Sequence, residues 1–388
     1  MRQQQQTHTT EIAIIGGGAS GLTAAIAAAR QGAAVMILEK LPRVGKKLLA
    51  TGNGRCNLGN LSQDPAHYHG NVDVMPVLAQ FPGEAAFFRS LGLIVRPDEA
   101  GRLYPASGQA SSVLDALRLE CARLGVQEVC DFPVQQLRKR GGTFSLTSDS
   151  GKTIYARRVI LAAGGAAGPQ YGTDGAGIRL AKQLGHMATA CYPALAPIAV
   201  APQSVRGLKG LRVHANVTAY LNGHPVSAAE GQVQFADGAL SGICVFNLAT
   251  HRPDTLSLEL LPWCEHPQML LTEILQARAH VPPEDMLTGL FPKRIGQALH
   301  KAAADAPLEK LVTDWRFATR PDTNWEAAQV TAGGVAGVTD TLASPIVPGL
   351  YLAGEVLDVH GDTGGFNLRW AWASGLLAGT EAAKGLGA

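Results

Sequence analysis

A chain of 388 residues, 46% hydrophobic and 16% charged, is long enough to bury a large core and to form two or three lobes. Its formal net charge of +2 creates no strong field, so composition neither demands nor excludes a nucleic-acid partner. Six cysteines (Cys56, Cys121, Cys130, Cys191, Cys244 and Cys264) lie far apart with no C-x-x-C pair, which argues against a disulfide framework or a dithiol relay and fits a reducing cytoplasm.

The start, MRQQQQTHTT, is polar and has no apolar signal region, and no apolar run approaches the ~18 residues of a membrane span. Residues 1–10 are expected to form a frayed tail. Glu11–Ile15 then reads as a strand, GGGASG as a turn, Leu22–Arg30 as an Ala-rich helix and AVMILEK as a second strand, which makes one βαβ unit. Gly16, Gly18 and Gly21 stand at G-x-G-x-x-G spacing, with Ala19 and Ser20 between them. The first glycine permits a tight turn, the second lets backbone approach a pyrophosphate at the helix N-terminus, and the third allows close packing of helix on strand. Glu39, 18 residues beyond Gly21 and followed by Lys40, is placed to accept hydrogen bonds from ribose hydroxyls. This spacing predicts a dinucleotide site without choosing between FAD and NAD.

The next stretch, KKLLATGNGRCNLGN over Lys46–Asn60, concentrates Gly52, Gly54, Arg55, Cys56 and Asn57 just after Lys47. Such a loop offers backbone amides, a guanidinium and amide side chains to anionic or carbonyl oxygens, so contacts to a cofactor's phosphate or carbonyl oxygens are expected here, with Arg55 and Asn57 the most suitable side chains. Cys56 is a candidate redox or acid group; a small packed thiol is the alternative. Alternation with turns at RGG and SDSG predicts a β-meander over about residues 131–157, and ARRVILAAGG, Ala156–Gly165, reads as a strand ending in two glycines; it resembles the segment at which many FAD proteins return to the flavin-binding sheet, which would put Ala163, Gly164 and Gly165 at the cofactor. GTDGAGIRLAKQLGH, Gly172–His186, reads as a glycine turn into a helix.

From about Tyr192 to Arg320 the Gly-rich crossovers disappear, and residues 192–325 are expected to be an inserted domain between two parts, 11–191 and 326–388, of one FAD-binding domain. Its first part, about 192–262, reads as strands, including all of GQVQFADGALSGICVFNLA; its second, about 266–320, as helices with proline boundaries. Arg206, Lys209, Arg212, Lys293, Arg294 and Lys301 are basic residues interspersed with apolar ones, which fits a solvated face better than a binding surface. Near the C-terminus, LYLAG is a strand that places Gly354 and Glu355 at its end, and GGFNL (Gly364, Gly365, Phe366, Asn367, Leu368) opens an apolar helix. FAD is long and needs a second protein arm, so this returning strand points to FAD, with Glu355 the expected ribityl contact; a simple helix-capping turn is the alternative for GGFNL. His360, Asp362 and Arg369 flank this loop as candidates for binding substrate or supplying a proton, with capping roles equally open.

Taken together with GRLYPASGQASSVLDAL, Gly101–Leu117, and VTAGGVAGV, Val330–Val338, these motifs run in order over nearly the whole chain, and the sequence resembles the YhiN/BaiN-like family of two-dinucleotide-binding-domain flavoproteins. The resemblance implies an α/β fold: a Rossmann-like, fumarate-reductase-like FAD-binding domain with a small β-meander and an inserted β-plus-helical domain. It implies that Gly52–Asn57 lie along the flavin and that the insert selects the substrate. It also implies an FAD-dependent oxidoreductase acting on an activated alkene or carbonyl of a small molecule, with NAD(P)H as transient donor. No second G-x-G-x-x-G follows a strand, since Leu180 stands where a third glycine would follow Gly175 and Gly177. Members that reduce a uridine of ribosomal RNA make RNA the alternative substrate, and a non-catalytic flavin-binding protein is a third reading. No metal site is expected. The family loop often carries Thr where this chain has Gly59.

Overall fold

The computed structural model describes residues 8–304, 306–321 and 324–386. The expected tail falls largely outside the described residues, but its last three positions do not. The first strand runs His8–Ile15, three residues earlier than the expected start at Glu11, because Thr9 and Thr10 pair with Tyr155 and Ala156.

The chain divides into two compact units, one built from residues 1–192 and 330–388 and the other from 193–329. In the first, strands Gln127–Val129, Val35–Leu38, His8–Ile15 and Thr153–Leu161 lie side by side and parallel, with Ile12 opposite Val35 and Ile15 opposite Leu161. The nine-residue strand Thr153–Leu161 serves two sheets' worth of partners. Its first half pairs antiparallel with Thr143–Ser148, which pairs in turn with Val134–Arg140; its last three residues pair parallel with Leu350–Leu352. The meander therefore grows directly out of the central sheet.

Fully buried Ile12, Ile14, Ile37 and Leu38 give this sheet two apolar faces, as a parallel sheet requires. One face receives the helix Ala19–Arg30, on which the long C-terminal helix Phe366–Ala383 packs. That contact is close because the residues are small. A methyl group on Gly375 or Gly379 would overlap the backbone carbonyls of Ser20 and Ala24.

The second unit is a six-stranded antiparallel sheet, ordered Ile198–Ala199, Ala239–Ser241, His224–Ala236, Arg212–Leu221, Thr255–Glu259 and Trp315–Ala318, around its own core of Phe235, Trp315 and Phe317. Two expectations are corrected here. ICVFNLA is the helix Ile243–Ala249 rather than a strand, since Cys244, Val245 and Leu248 form one buried helical face after a left-handed turn at Gly242. The helical stretch stops at Thr313, and Trp315–Ala318 returns as an edge strand with Trp315 and Phe317 inward and Arg316 and Ala318 outward. The alternation there has period two, too short a run to stand out beside the helical spacing before it. Among the described residues no helix is long and apolar enough to cross a membrane, and no group of three or more potential metal ligands is found.

Candidate active site

The three glycines of the turn after the first strand meet different surroundings. Gly16 has φ +104, and a Cβ there would stand 2.5 Å from the Ala162 carbonyl oxygen and 2.8 Å from Ala163 Cα. Gly21 is equally confined, its Cβ position overlapping the Gly16 carbonyl. Gly18 is the reverse: nothing lies within 4 Å of its Cβ position. Two glycines are thus demanded by packing, and the middle one leaves an open face at the N-terminus of Ala19–Arg30, where unbonded amides and the helix dipole favour an anion. Glu39 Oε2 accepts a hydrogen bond from Gly17 N at 2.8 Å and Oε1 one from Leu41 N at 2.9 Å, so the carboxylate pins the turn to the second strand while keeping lone pairs for hydroxyl donors. Lys40 is drawn to Asp174 at 3.1 Å.

Four distant segments meet beside this turn. Gly354, φ +77, donates to Ser374 Oγ at 2.9 Å and accepts from Trp370 Nε1 at 3.2 Å, and any side chain on it would overlap that of Ser20. Glu355 Oε2 pairs with Lys47 Nζ at 2.7 Å while its Oε1 accepts from Thr331 N at 2.9 Å. Thr331 Oγ1 accepts from Ala166 N and Ala167 N at 2.8 and 3.0 Å, and a Cβ on Gly165 would strike it and lie 3.0 Å from Glu355 Oε1. Gly164, left-handed at φ +70, completes that bend. The segments carrying Ser20, Lys47, Ala163–Gly165 and Gly354–Glu355 are therefore in contact. Thr331 was missed, although VTAGG marked its neighbourhood.

In the loop that follows the helix Lys46–Ala50, Gly52 (φ +58), Asn53 (φ +55), Gly54 (φ +83) and Cys56 (φ +60) are left-handed, which turns successive amides in different directions. Arg55 is exposed and lies over the Tyr104 ring, Cζ 4.5 Å from its centroid. Cys56 is fully buried, and burial pushes its thiol up to about 12. A thiol so held is not a thiolate at neutral pH, and its candidacy as a redox or acid group is withdrawn. Asn57 Oδ1 is buried without a hydrogen-bond partner, beside Gly365, whose Cβ would come within 2.7 Å of it. A buried acceptor left open at the junction of the two loops is the kind of atom that a bound ligand's N–H satisfies. That orphaned oxygen and the bare face of Gly18 both fit FAD.

The C-terminal loop is held from a distance. Gly364 (φ +134) and Gly365 (φ +107) lead into buried Phe366, and Asn60 Nδ2 donates to Gly364 O at 3.0 Å. Asn367 spends its side chain on Gly361, Oδ1 accepting from N at 2.8 Å and Nδ2 donating to O at 2.7 Å; half-buried Leu368 packs on the core. Arg369 is corrected outright. Its guanidinium pairs with Glu84 at 2.6 Å, each side chain only 3% exposed, and also donates to the carbonyls of Ser62 and Asn60. Every edge is taken, so it braces the loop and does not reach substrate. Gly59, the departure from the family pattern, has a reason here, because a Cβ would occupy the Glu84 carboxylate's position.

Asp362 joins two histidines that the sequence reading passed over, accepting from His67 Nδ1 at 3.0 Å and His69 Nε2 at 2.9 Å. Burial alone would raise its carboxyl, but His69 and His67 outweigh that and hold it below the usual range. His67 stacks on Phe366, centroids 4.1 Å apart at 22°. His360 is buried, its ring centroid 5.3 Å from that of His69, since Tyr68–Gly70 pairs with Val359–Gly361. The alternating histidines of HYHG were a visible signal, but their carboxylate lies 295 and 293 residues away.

A glycine turn on a parallel sheet, an acid closing the second strand and a returning C-terminal arm define a flavoprotein oxidoreductase with a Rossmann-like FAD-binding fold. The family model described as HI0933-like protein Rossmann domain matches residues 10–381, and the chain belongs to that family. It is 39% identical over 406 residues to the 3-dehydro-bile acid delta(4,6)-reductase of Clostridium scindens, covering 96% of this chain and 99% of the relative. It is 28% identical to the ribosomal RNA dihydrouridine synthase of Haemophilus influenzae, covering 94% and 96%. The open conformation of a flavocytochrome c3 fumarate reductase shares the fold, with a TM-score of 0.53, 18% identity and coverage of 97% of this chain and 78% of that one.

Proposed function

We propose that this chain reduces a carbon–carbon double bond conjugated to a carbonyl in a small apolar molecule, with a reduced nicotinamide as electron donor. The observation that carries the reading is the end-to-end 39% identity with a reductase named for a 3-dehydro-bile acid, a substrate class in which unsaturation is conjugated to a ring ketone. Bound FAD supplies hydride chemistry at its N5. The chain's part is to hold and orient it. Gly18, Ala19 and Ser20 offer helix N-terminal amides to the pyrophosphate over the open face, Gly16 and Gly21 keep that turn tight, and Glu39 takes ribose hydroxyls. Glu355, oriented by Lys47 and Thr331, would take the ribityl hydroxyls, and the Gly52–Asn57 loop with Gly365 would hold the ring, with Asn57 Oδ1 as an acceptor for its N–H. Leu180, buried where a third glycine would stand in the helix Ala176–Gln183, supports a nicotinamide that visits transiently and has no nucleotide lobe of its own.

The test is anaerobic NADH or NADPH oxidation by purified, FAD-loaded protein. Consumption of either that depends on a 3-oxo-4-ene steroid supports the reading. Oxidation that depends on a uridine-bearing ribosomal RNA fragment and on no enone would replace it with RNA modification, which the 28% identity with the dihydrouridine synthase favours as the second reading.

A further inference from the structure

We propose that His67 is the proton donor of the reduction and that Asp362 positions it, an inference that rests on the reading of the protein as a reductase of carbonyl-conjugated double bonds. The chain needs an acid at the reacting carbon, and two of the candidates, Cys56 and Arg369, fail on the structure. Cys56 is buried with its thiol pushed up to about 12, and Arg369 is closed by Glu84 and two backbone carbonyls.

His67 differs on three counts. Its side chain is 35% exposed, so a substrate can reach it. Its plane is set by stacking on Phe366, the residue after Gly365, which itself abuts Asn57; the imidazole therefore belongs to the same patch as the proposed ring-bordering loop. Its Nδ1 is committed to Asp362, which leaves Nε2 as the atom through which a proton leaves. The carboxylate is itself fixed, since Asp362 N donates to His67 O at 2.9 Å and the Asn367 amide closes the loop beneath it. Other ionisable groups around the cluster are His69 on the far oxygen of Asp362, His360 beyond His69, and the Arg369–Glu84 pair and Tyr68 behind Phe366. His69 is equally exposed but packs on His360, whereas His67 stacks on Phe366 beside Gly365, and that stack singles out His67.

In the step, the β-carbon of the conjugated bond would accept hydride, whose two electrons come from the reduced nicotinamide. The π bond opens toward the carbonyl, and the α-carbon takes the proton from His67 Nε2. Two C–H bonds form, the imidazole is left neutral, and water reprotonates it. The same arithmetic holds for the 5,6-bond of uracil, which is conjugated to a carbonyl, so the assignment can be tested with either acceptor.

The experiment uses the full-length holoprotein with its flavin reduced by dithionite, then mixed anaerobically with 4-androstene-3,17-dione or with a uridine-bearing ribosomal RNA fragment. Reoxidation is followed by the flavin absorbance. His67→Gln is expected to keep its FAD content and its reduction by dithionite and to slow reoxidation about 10²–10⁴-fold. His67→Ala should regain part of the rate with added imidazole, which a merely structural role would not allow. Asp362→Asn should lose less than His67→Gln, and His69→Gln less again. Reoxidation of the wild type by RNA alone, with His67→Gln impaired, overturns the small-molecule reading and supports the histidine. A His67→Gln rate equal to wild type with an acceptor that reoxidises the wild type overturns the histidine, as does a larger loss in His69→Gln; no reoxidation of the wild type by either acceptor overturns the reductase reading and the inference with it.

Discussion

The two arms that face each other across Ser20 and Gly354 are built by different physics. The N-terminal arm is almost entirely backbone: Gly16, Gly18 and Gly21 act within six residues, and only Glu39 contributes a side chain. The C-terminal arm is a longer loop shaped by partners elsewhere in the chain, with Asn60 on Gly364, Glu84 on Arg369 and two histidines on Asp362. A local steric code is brittle at single atoms, whereas a network of distant side chains fails in graded steps.

Substitutions can break that contrast or sharpen it. The largest effect is expected from Gly21→Val, whose Cβ would sit on the Gly16 carbonyl with no flexible atom to yield; soluble folded protein should be lost, as judged by circular dichroism. In the other arm, Arg369→Met leaves the Glu84 carboxylate buried and unpaired and should lower unfolding free energy by about 3–5 kcal/mol in urea titrations, while the Arg369→Met, Glu84→Leu pair should recover a substantial part of it. Gly18→Val separates binding from folding, because its Cβ meets nothing. The variant should keep wild-type stability in the apo form and purify colourless; a yellow, fully loaded preparation would remove the pyrophosphate from that face. Glu355→Ala should reduce flavin occupancy without abolishing it, since Lys47 and the Thr331 amide lose their acceptor but the glycine turn stays intact.

The smallest effect is in acid. Asp362 has its folded pKa held below the ordinary carboxylate value, so its contribution to stability is present above the unfolded pKa of about 3.9 and is lost as pH falls through the folded value. Wild type should therefore lose stability between about pH 4 and the acid limit more steeply than Asp362→Asn, whose thermal melting should be flatter over that window.

Legibility followed the same divide. The βαβ unit, its glycine turn and Glu39 were readable because each constraint acts within a few residues: Gly16 and Gly21 are confined by backbone and Gly18 is open. The pairing of Glu355 with Lys47 and of Asp362 with His67 joins residues about 300 apart, which no local pattern encodes. Arg369 and Cys56 were offered as chemistry because their residue types are reactive; burial, which the local pattern did not reveal, made one a brace and the other inert. The helix Ile243–Ala249 and the strand Trp315–Ala318 were misread for a related reason, since short apolar runs carry both periods until a tertiary neighbour selects one.

The amino-acid sequence by itself determined where backbone must turn tightly, where it must stay bare and which segments alternate between strand and helix, because sterics and apolar periodicity act over a few residues. Only the tertiary structure decided which polar side chains are spent inside the protein and which remain available to a ligand. That depends on burial and on partners hundreds of residues away, as the closed guanidinium of Arg369 and the accessible imidazole of His67 show.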